Sequence, residues 1–156
     1  MPVALMVQYV QAVGTPLLAV VIAAFGAVLA WQQVKIARVR LQYDLYDRRF
    51  AVYEAARKFL AQVMAYGHPS NDDIRSYVVG SADAGFLLNN DIASYLEKIR
   101  DRGSRLWSIE EALKPLPVGT ERSALVQQQH EIFSWMMEQL PNGLVQKFKP
   151  FLTLEQ

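Results

Sequence analysis

Ala12–Trp31 reads AVGTPLLAVVIAAFGAVLAW, a run of twenty residues without one charged side chain. At about 1.5 Å of rise per residue, such a helix covers roughly 30 Å, the thickness of a bilayer's hydrocarbon core. A core helix of a small soluble domain rarely needs so long a run with no polar face. A cleaved signal peptide carries its basic residues ahead of a shorter apolar stretch. Here nothing basic precedes the run, and the positive residues follow it. The sequence therefore predicts an all-α protein in which one N-terminal transmembrane helix continues into a long stalk helix and a cytoplasmic helical bundle. The expected divisions are a short extracytoplasmic segment 1–11, a membrane span 12–33, a juxtamembrane stalk 34–66 and the bundle 67–156.

Charge is distributed in the same order. The chain has 156 residues, 52% of them hydrophobic, and a formal net charge of +1. No charge occurs from Met1 to Val34, whereas Lys35, Arg38, Arg40, Arg48, Arg49, Arg57 and Lys58 face only Asp44, Asp47 and Glu54 in the next stretch. Beyond Leu60 acids outnumber bases. Positive residues are retained on the cytoplasmic side, so the N-terminus is expected outside and the C-terminal domain inside. Tyr9 and Trp31 stand near the two ends of the run, where amphipathic rings favour the headgroup zone. The sequence contains no cysteine, which excludes disulfides and thiolate metal sites.

Two readings of the span's start are open. Thr15 caps a helix beginning at Pro16, or a kinked helix runs from about Pro2. Ala19, Ala23 and Ala27 place a small residue at every fourth position, the spacing that lets helix backbones approach in lipid.

From Gln32 to Tyr66 neither proline nor glycine interrupts the chain. One heptad seam passes through Ile36, Val39, Tyr43, Tyr46, Phe50 and Tyr53, with Arg57 as an exception before Leu60. The same phase extends backward through Gln32, Leu29, Phe25, Ile22, Leu18, Thr15, Gln11 and Gln8. A seam that keeps phase across the membrane boundary predicts helices associating in and below the bilayer. On that reading residues 36–53 of the seam form a homo-oligomer interface, and Gln8 to Gln32 line a pore. A second stripe, Leu41, Leu45, Val52, Ala56 and Phe59, offers a face for the chain's own later helices. Lys35, Arg38 and Arg40 anchor the helix end at anionic headgroups, a term of about 1 kcal/mol each. In a symmetric oligomer they also form a basic collar for a phosphate-rich ligand.

Farther on, Ser70-Asn71-Asp72-Asp73 reads as a capped helix start, with a helix to about Val79 broken near Gly80. Asn90 or Asp91 is expected to cap a helix carrying Ile92, Tyr95, Leu96, Ile99, Leu106, Trp107 and Leu113. Pro115 and Pro117 end that helix, Thr120 opens another that runs to about Leu140, and Pro141-Asn142-Gly143 breaks it before a short helix at Leu144–Phe148. Trp107 and Trp135 are expected in the core. No phosphate-binding glycine loop, dinucleotide fingerprint or H-E-x-x-H motif occurs. His68 and His130 lack a neighbouring ligand set, and Asp72 and Asp73 are accounted for by capping. The sequence predicts a non-enzyme without cofactor or metal.

The segment Asp44-Leu45-Tyr46-Asp47-Arg48-Arg49-Phe50-Ala51-Val52-Tyr53-Glu54, with Asp91–Leu96 and Lys147–Leu152, resembles uncharacterised small bacterial single-pass membrane proteins. The layout is also similar to the channel effector of Hailong-type anti-phage systems, which a partner nucleotidyltransferase holds shut with an oligonucleotide. These resemblances imply a bacterial inner-membrane location and an oligomeric, helix-lined channel gated by a nucleotide or oligonucleotide in anti-phage defence. The alternative expectation is a membrane-tethered adaptor whose bundle binds a cytoplasmic protein partner.

Overall fold

The computed structural model describes the backbone of residues 2–153 and the side chains of residues 22–153. Six α-helices follow in order: α1 (Pro2–Tyr66), α2 (Asn71–Ser81), α3 (Ala84–Leu87), α4 (Asn90–Leu113), α5 (Thr120–Glu138) and α6 (Leu144–Phe148). A π-helical turn, Gln139–Gly143, joins α5 to α6, and a 3₁₀ turn, Lys149–Phe151, follows. No strand occurs among the described residues, so the all-α expectation holds. The expected span and stalk are one helical element that starts at Pro2, with Pro16 in its interior. Among the described residues no helix is long and apolar enough to cross a membrane. Ala12 to Val21 of the expected span lie outside the described side chains.

The chain divides into two compact units, Met1–Tyr43 and Asp44–Gln156. In the second, the later part of α1 presents Val52, Ala56, Phe59, Leu60 and Val63, all buried. Their three- and four-residue spacing puts them on one helix face. Burying each of the larger ones stabilises the fold by roughly 1.5–3 kcal/mol, and this is what orients α1 against its neighbours. Tyr77 from α2, Tyr95, Leu96, Ile99 and Leu106 from α4, Met136 from α5, and Leu144 and Phe148 from α6 complete the same cluster. The Phe59 and Tyr77 rings stack with centroids 4.6 Å apart, and Tyr77 Oη donates to Leu96 O at 2.8 Å. Burial pushes the Tyr77 hydroxyl pKa well above its usual value.

Helix ends follow local chemistry. α1 stops where Gly67 adopts φ of 81° and its N–H returns to Val63 O at 2.8 Å, a left-handed C-cap that suits a residue without Cβ. Ser70 then forms a full capping box with Asp73. Ser70 Oγ accepts from Asp73 N at 3.1 Å, while Asp73 Oδ2 accepts from Ser70 N at 2.9 Å. Asn89, one residue before the expected cap, accepts from Ile92 N at 3.0 Å and opens α4. Across the proline-rich turn, one Arg122 Nη donates to Leu113 O at 2.7 Å and to Leu116 O at 2.8 Å. That satisfies carbonyls which the end of α4 leaves open.

Both expected breaks fall close to helix ends: α2 stops at Ser81, one residue past Gly80, and α5 stops at Glu138, before Pro141. Gly80 lies within α2, and a Cβ there would stand 2.6 Å from Ala55 Cβ. Its role is to let α2 approach α1. Pro141 falls in the interruption expected between α5 and α6, which is a π-helical turn rather than an open loop. The π turn widens the backbone loop, which accommodates the missing proline N–H and its ring.

Candidate functional site

The expected pore and interface residues divide between the two units. In the first unit the described side chains, from Ile22 to Tyr43, are exposed without exception. The seam residues Ile22, Phe25, Leu29, Ile36, Val39 and Tyr43 are 64, 69, 55, 54, 44 and 54% exposed. Off the seam, Val28, Trp31, Val34 and Leu41 are at least half exposed as well. An exposed apolar surface of this extent is the mark of a contact site for lipid or protein. Gln32 lies on the same exposed helix, while Gln8, Gln11, Thr15 and Leu18 lie outside the described side chains.

The collar residues Lys35, Arg38 and Arg40 are exposed too, and none has a carboxylate partner among the described residues. Lys35 Nζ sits 5.9 Å from the Trp31 ring centroid, a cation–π contact at the apolar-to-basic junction. Helical register separates the three. With Ile36 and Val39 at the a and d positions, Lys35 falls at g and Arg40 at e, flanking the seam on either side, whereas Arg38 falls at c and points away from it. In a parallel assembly a g residue faces the e residue five positions later on the neighbouring helix. Here that pair is Lys35 against Arg40 of the next copy, two like charges.

In the second unit the seam turns toward its own chain. Tyr46 is half-buried and stacks on Phe50 at 6.0 Å, and Phe50 lies 5.8 Å from Tyr53. Tyr53 meets Phe148 of α6 edge-on at 5.5 Å. Phe50 remains 39% exposed at the rim. The segments Asp44–Glu54 and Lys147–Leu152 thus meet through Tyr53 and Phe148. In the same motif Arg49 Nε donates to Leu87 O at 3.0 Å, holding the end of α3. Arg57 pairs with Glu54 at 2.8 Å, and this hydrogen bond holds the Glu54 carboxyl below its usual pKa. Of the second stripe, Val52, Ala56 and Phe59 are buried as expected, Leu45 is intermediate and Leu41 is exposed.

Among the described residues the bundle's surface holds open clefts. One, of about 300 Å³, runs between α1 and α2 and is lined by Ala55, Lys58, Phe59 and Asp73. His130 lies on an open, largely apolar groove with Val118, Arg122 and Val126, and His68 Nδ1 is 3.4 Å from Pro69 O. No cluster of metal-ligating side chains exists among the described residues.

One arrangement was not anticipated from sequence. Trp135, expected in the core, packs against it while half-buried, and two cations from α4 lie over its ring. Arg102 Cζ is at 4.1 Å and Lys98 Nζ at 5.3 Å from the centroid. Beside it, Lys147 Nζ stands 5.1 Å from the Tyr95 ring. Tyr95 Oη donates to Gln139 Oε1 at 3.1 Å, and Gln139 Nε2 donates to Trp135 O at 3.0 Å. Burial pushes the Tyr95 hydroxyl up to about 12, so it is a neutral donor in ordinary conditions. Lys98 and Arg102 stand four residues apart in the sequence, but nothing local pairs them with a tryptophan more than thirty positions later.

No family model, no curated protein and no solved structure matches the chain.

Proposed function

We propose that the chain is a homo-oligomeric membrane effector whose first helix lines a pore, with a basic collar at the pore mouth gated by a nucleotide or oligonucleotide. The observation that carries the reading is the apolar surface from Ile22 to Tyr43, exposed on every side and flanked by Lys35 and Arg40, which have no carboxylate partner among the described residues. The uncharged run Ala12–Trp31 supports insertion in a bacterial inner membrane, N-terminus outside, with lipid covering one side of the helix and sister helices the other. Ile22, Phe25 and Leu29 then face the axis as an apolar constriction that closes by excluding water. The like-charge pair of Lys35 and its neighbour's Arg40 supplies the gate's chemistry, because a polyanion relieves the repulsion and so changes the spacing of the helices. The layout that resembles the Hailong-type channel effector supports anti-phage defence as the setting.

The test is ion flux through liposomes containing the purified protein, with and without short oligonucleotides. Flux that oligonucleotide modulates is expected, and Phe25→Ser, which wets the constriction, should raise it severalfold. A protein that assembles but conducts under none of these conditions, Phe25→Ser included, overturns the pore. A second reading is favoured by one observation: no ionisable residue occurs from Met1 to Val34, whereas many ion pathways carry one. On that reading α1 is a tether, and the bundle is an adaptor that binds a cytoplasmic protein partner.

A further inference from the structure

We propose that the bundle carries a binding site for a phosphate-bearing ligand on the surface where Lys98, Arg102 and Lys147 lie over the Trp135 and Tyr95 rings. The site belongs to the second unit alone and stands whether or not α1 lines a pore.

Three observations lead to it. First, these cations have no carboxylate partner among the described residues; the ion pairs there are Arg57–Glu54, Arg100–Asp101 and Lys114–Glu111. Three cations are instead gathered on two aromatic faces, Lys98 and Arg102 on Trp135 and Lys147 on Tyr95. Second, an arginine resting on an indole face spends no hydrogen bonds on it. Its in-plane N–H groups stay free to grip an oxyanion bidentately, while the ring removes much of the entropy that an extended side chain would lose on binding. Third, the platform is braced. Gln139 links the two aromatic residues by accepting from Tyr95 Oη and donating to Trp135 O. A Cβ on Gly143 would meet the Gln139 amide oxygen, so the π turn brings its backbone close to this link.

Two like charges over a single ring repel one another, and a doubly charged phosphate removes that cost while making charge-assisted hydrogen bonds. A carboxylate of single charge relieves less of it. The chemistry selected is therefore a phosphomonoester or polyphosphate, whether free in solution as in a nucleotide or displayed as a lipid headgroup.

The full chain in phosphatidylcholine nanodiscs is titrated with inorganic tripolyphosphate by calorimetry. Acetylation rates of Lys98 and Lys147 are read by mass spectrometry in the same samples. Saturable binding and slowed acetylation at both lysines are expected. The combined Lys98→Gln, Arg102→Gln and Lys147→Gln variant should bind about tenfold or more weakly. Arg102→Lys keeps the charge and loses the planar fork, so it should weaken binding severalfold. Thermal melts check that these surface changes leave the fold intact. Protection that appears on moving to nanodiscs containing phosphatidic acid, whose headgroup is a phosphomonoester, without added phosphate assigns the site to headgroups, and protection by tripolyphosphate alone assigns it to a soluble ligand. Acetylation unchanged under both conditions overturns the proposal. So does binding lost on replacing Lys35, Arg38 and Arg40 but retained in the bundle variant, a result that leaves the collar reading standing.

Discussion

Gly103 lies in the interior of α4, where glycine costs about 0.5–1 kcal/mol relative to alanine, and the packing explains why it is there. A Cβ would come within 2.5 Å of Phe59 Cζ and 2.9 Å of Cε1. That ring cannot withdraw, because it is 3% exposed and stacked on Tyr77. Gly103→Ala should therefore destabilise the bundle by about 1–3 kcal/mol of overpacking, less the propensity gain. Gly85→Ala, with nothing within 4 Å of the added atom, should be close to neutral. Urea denaturation followed by circular dichroism distinguishes the two, and equal midpoints for Gly103→Ala and the parent chain would contradict the packing argument. The same contrast marks the limit of reading residues from sequence. Gly80 was read only as a helix end, which α2 does reach at Ser81, but a glycine next to a serine signals a break and a close helix approach equally well. Only the position of Ala55 on another helix decides. Trp135 is a parallel case, since it packs against the core as expected, while nothing local shows that Lys98 and Arg102 lie over its ring.

At the scale of the element, α2 was the most legible piece of the bundle. Its start depends on four consecutive residues, Ser70 to Asp73, and a capping box is a local interaction that needs no tertiary contact. Ser70→Ala removes the oxygen that accepts from Asp73 N, and should cost about 1 kcal/mol, within the usual range for an N-cap. Asp72→Ala removes only a first-turn charge and should cost a few tenths. Both are measured as shifts in the thermal midpoint of the bundle. A larger loss for Asp72→Ala than for Ser70→Ala would mean that the box does not hold the helix start. Where two candidate caps stood near each other, the sequence was ambiguous, and Asn89 rather than Asn90 or Asp91 opens α4. The π turn at Gln139–Gly143 was illegible for a different reason. Proline followed by asparagine and glycine is strong break chemistry, and the turn forms where Tyr95 and Trp135 hold Gln139 from either side. The seam through α1 was read as one continuous interface. Its lower end turns inward because Phe148, almost a hundred residues later, meets Tyr53.

For the whole molecule, the helical class was legible because hydrophobic periodicity and end signals agree along most of the chain, and the partner surfaces were not, because they depend on what covers α1. The register of Lys35 and Arg40 makes assembly a sharp test of that cover. If copies associate through Ile36, Val39 and Tyr43, each Lys35 faces the Arg40 of a neighbour, and the repulsion repeats around the ring. Exposed pairs of this kind contribute only about 0.2–1 kcal/mol each, but every interface adds one. Salt screens them, with a Debye length of about 10 Å at 0.1 M. The oligomer in mild detergent should therefore be favoured by raised salt, in contrast to an assembly held by opposite charges. Lys35→Glu converts the repulsive pair into an attractive one and should strengthen assembly at low salt while reversing its salt dependence. Arg38→Glu, at a position pointing away from the seam, should leave both unchanged. Tyr43→Glu puts a charge into the seam itself and should shift the population toward monomer. Mass measured by light scattering across a salt series reads all four. A monodisperse monomer for the parent chain at micromolar concentration, at every salt level, would remove the interface and the pore together and leave α1 as a lone helix covered by lipid.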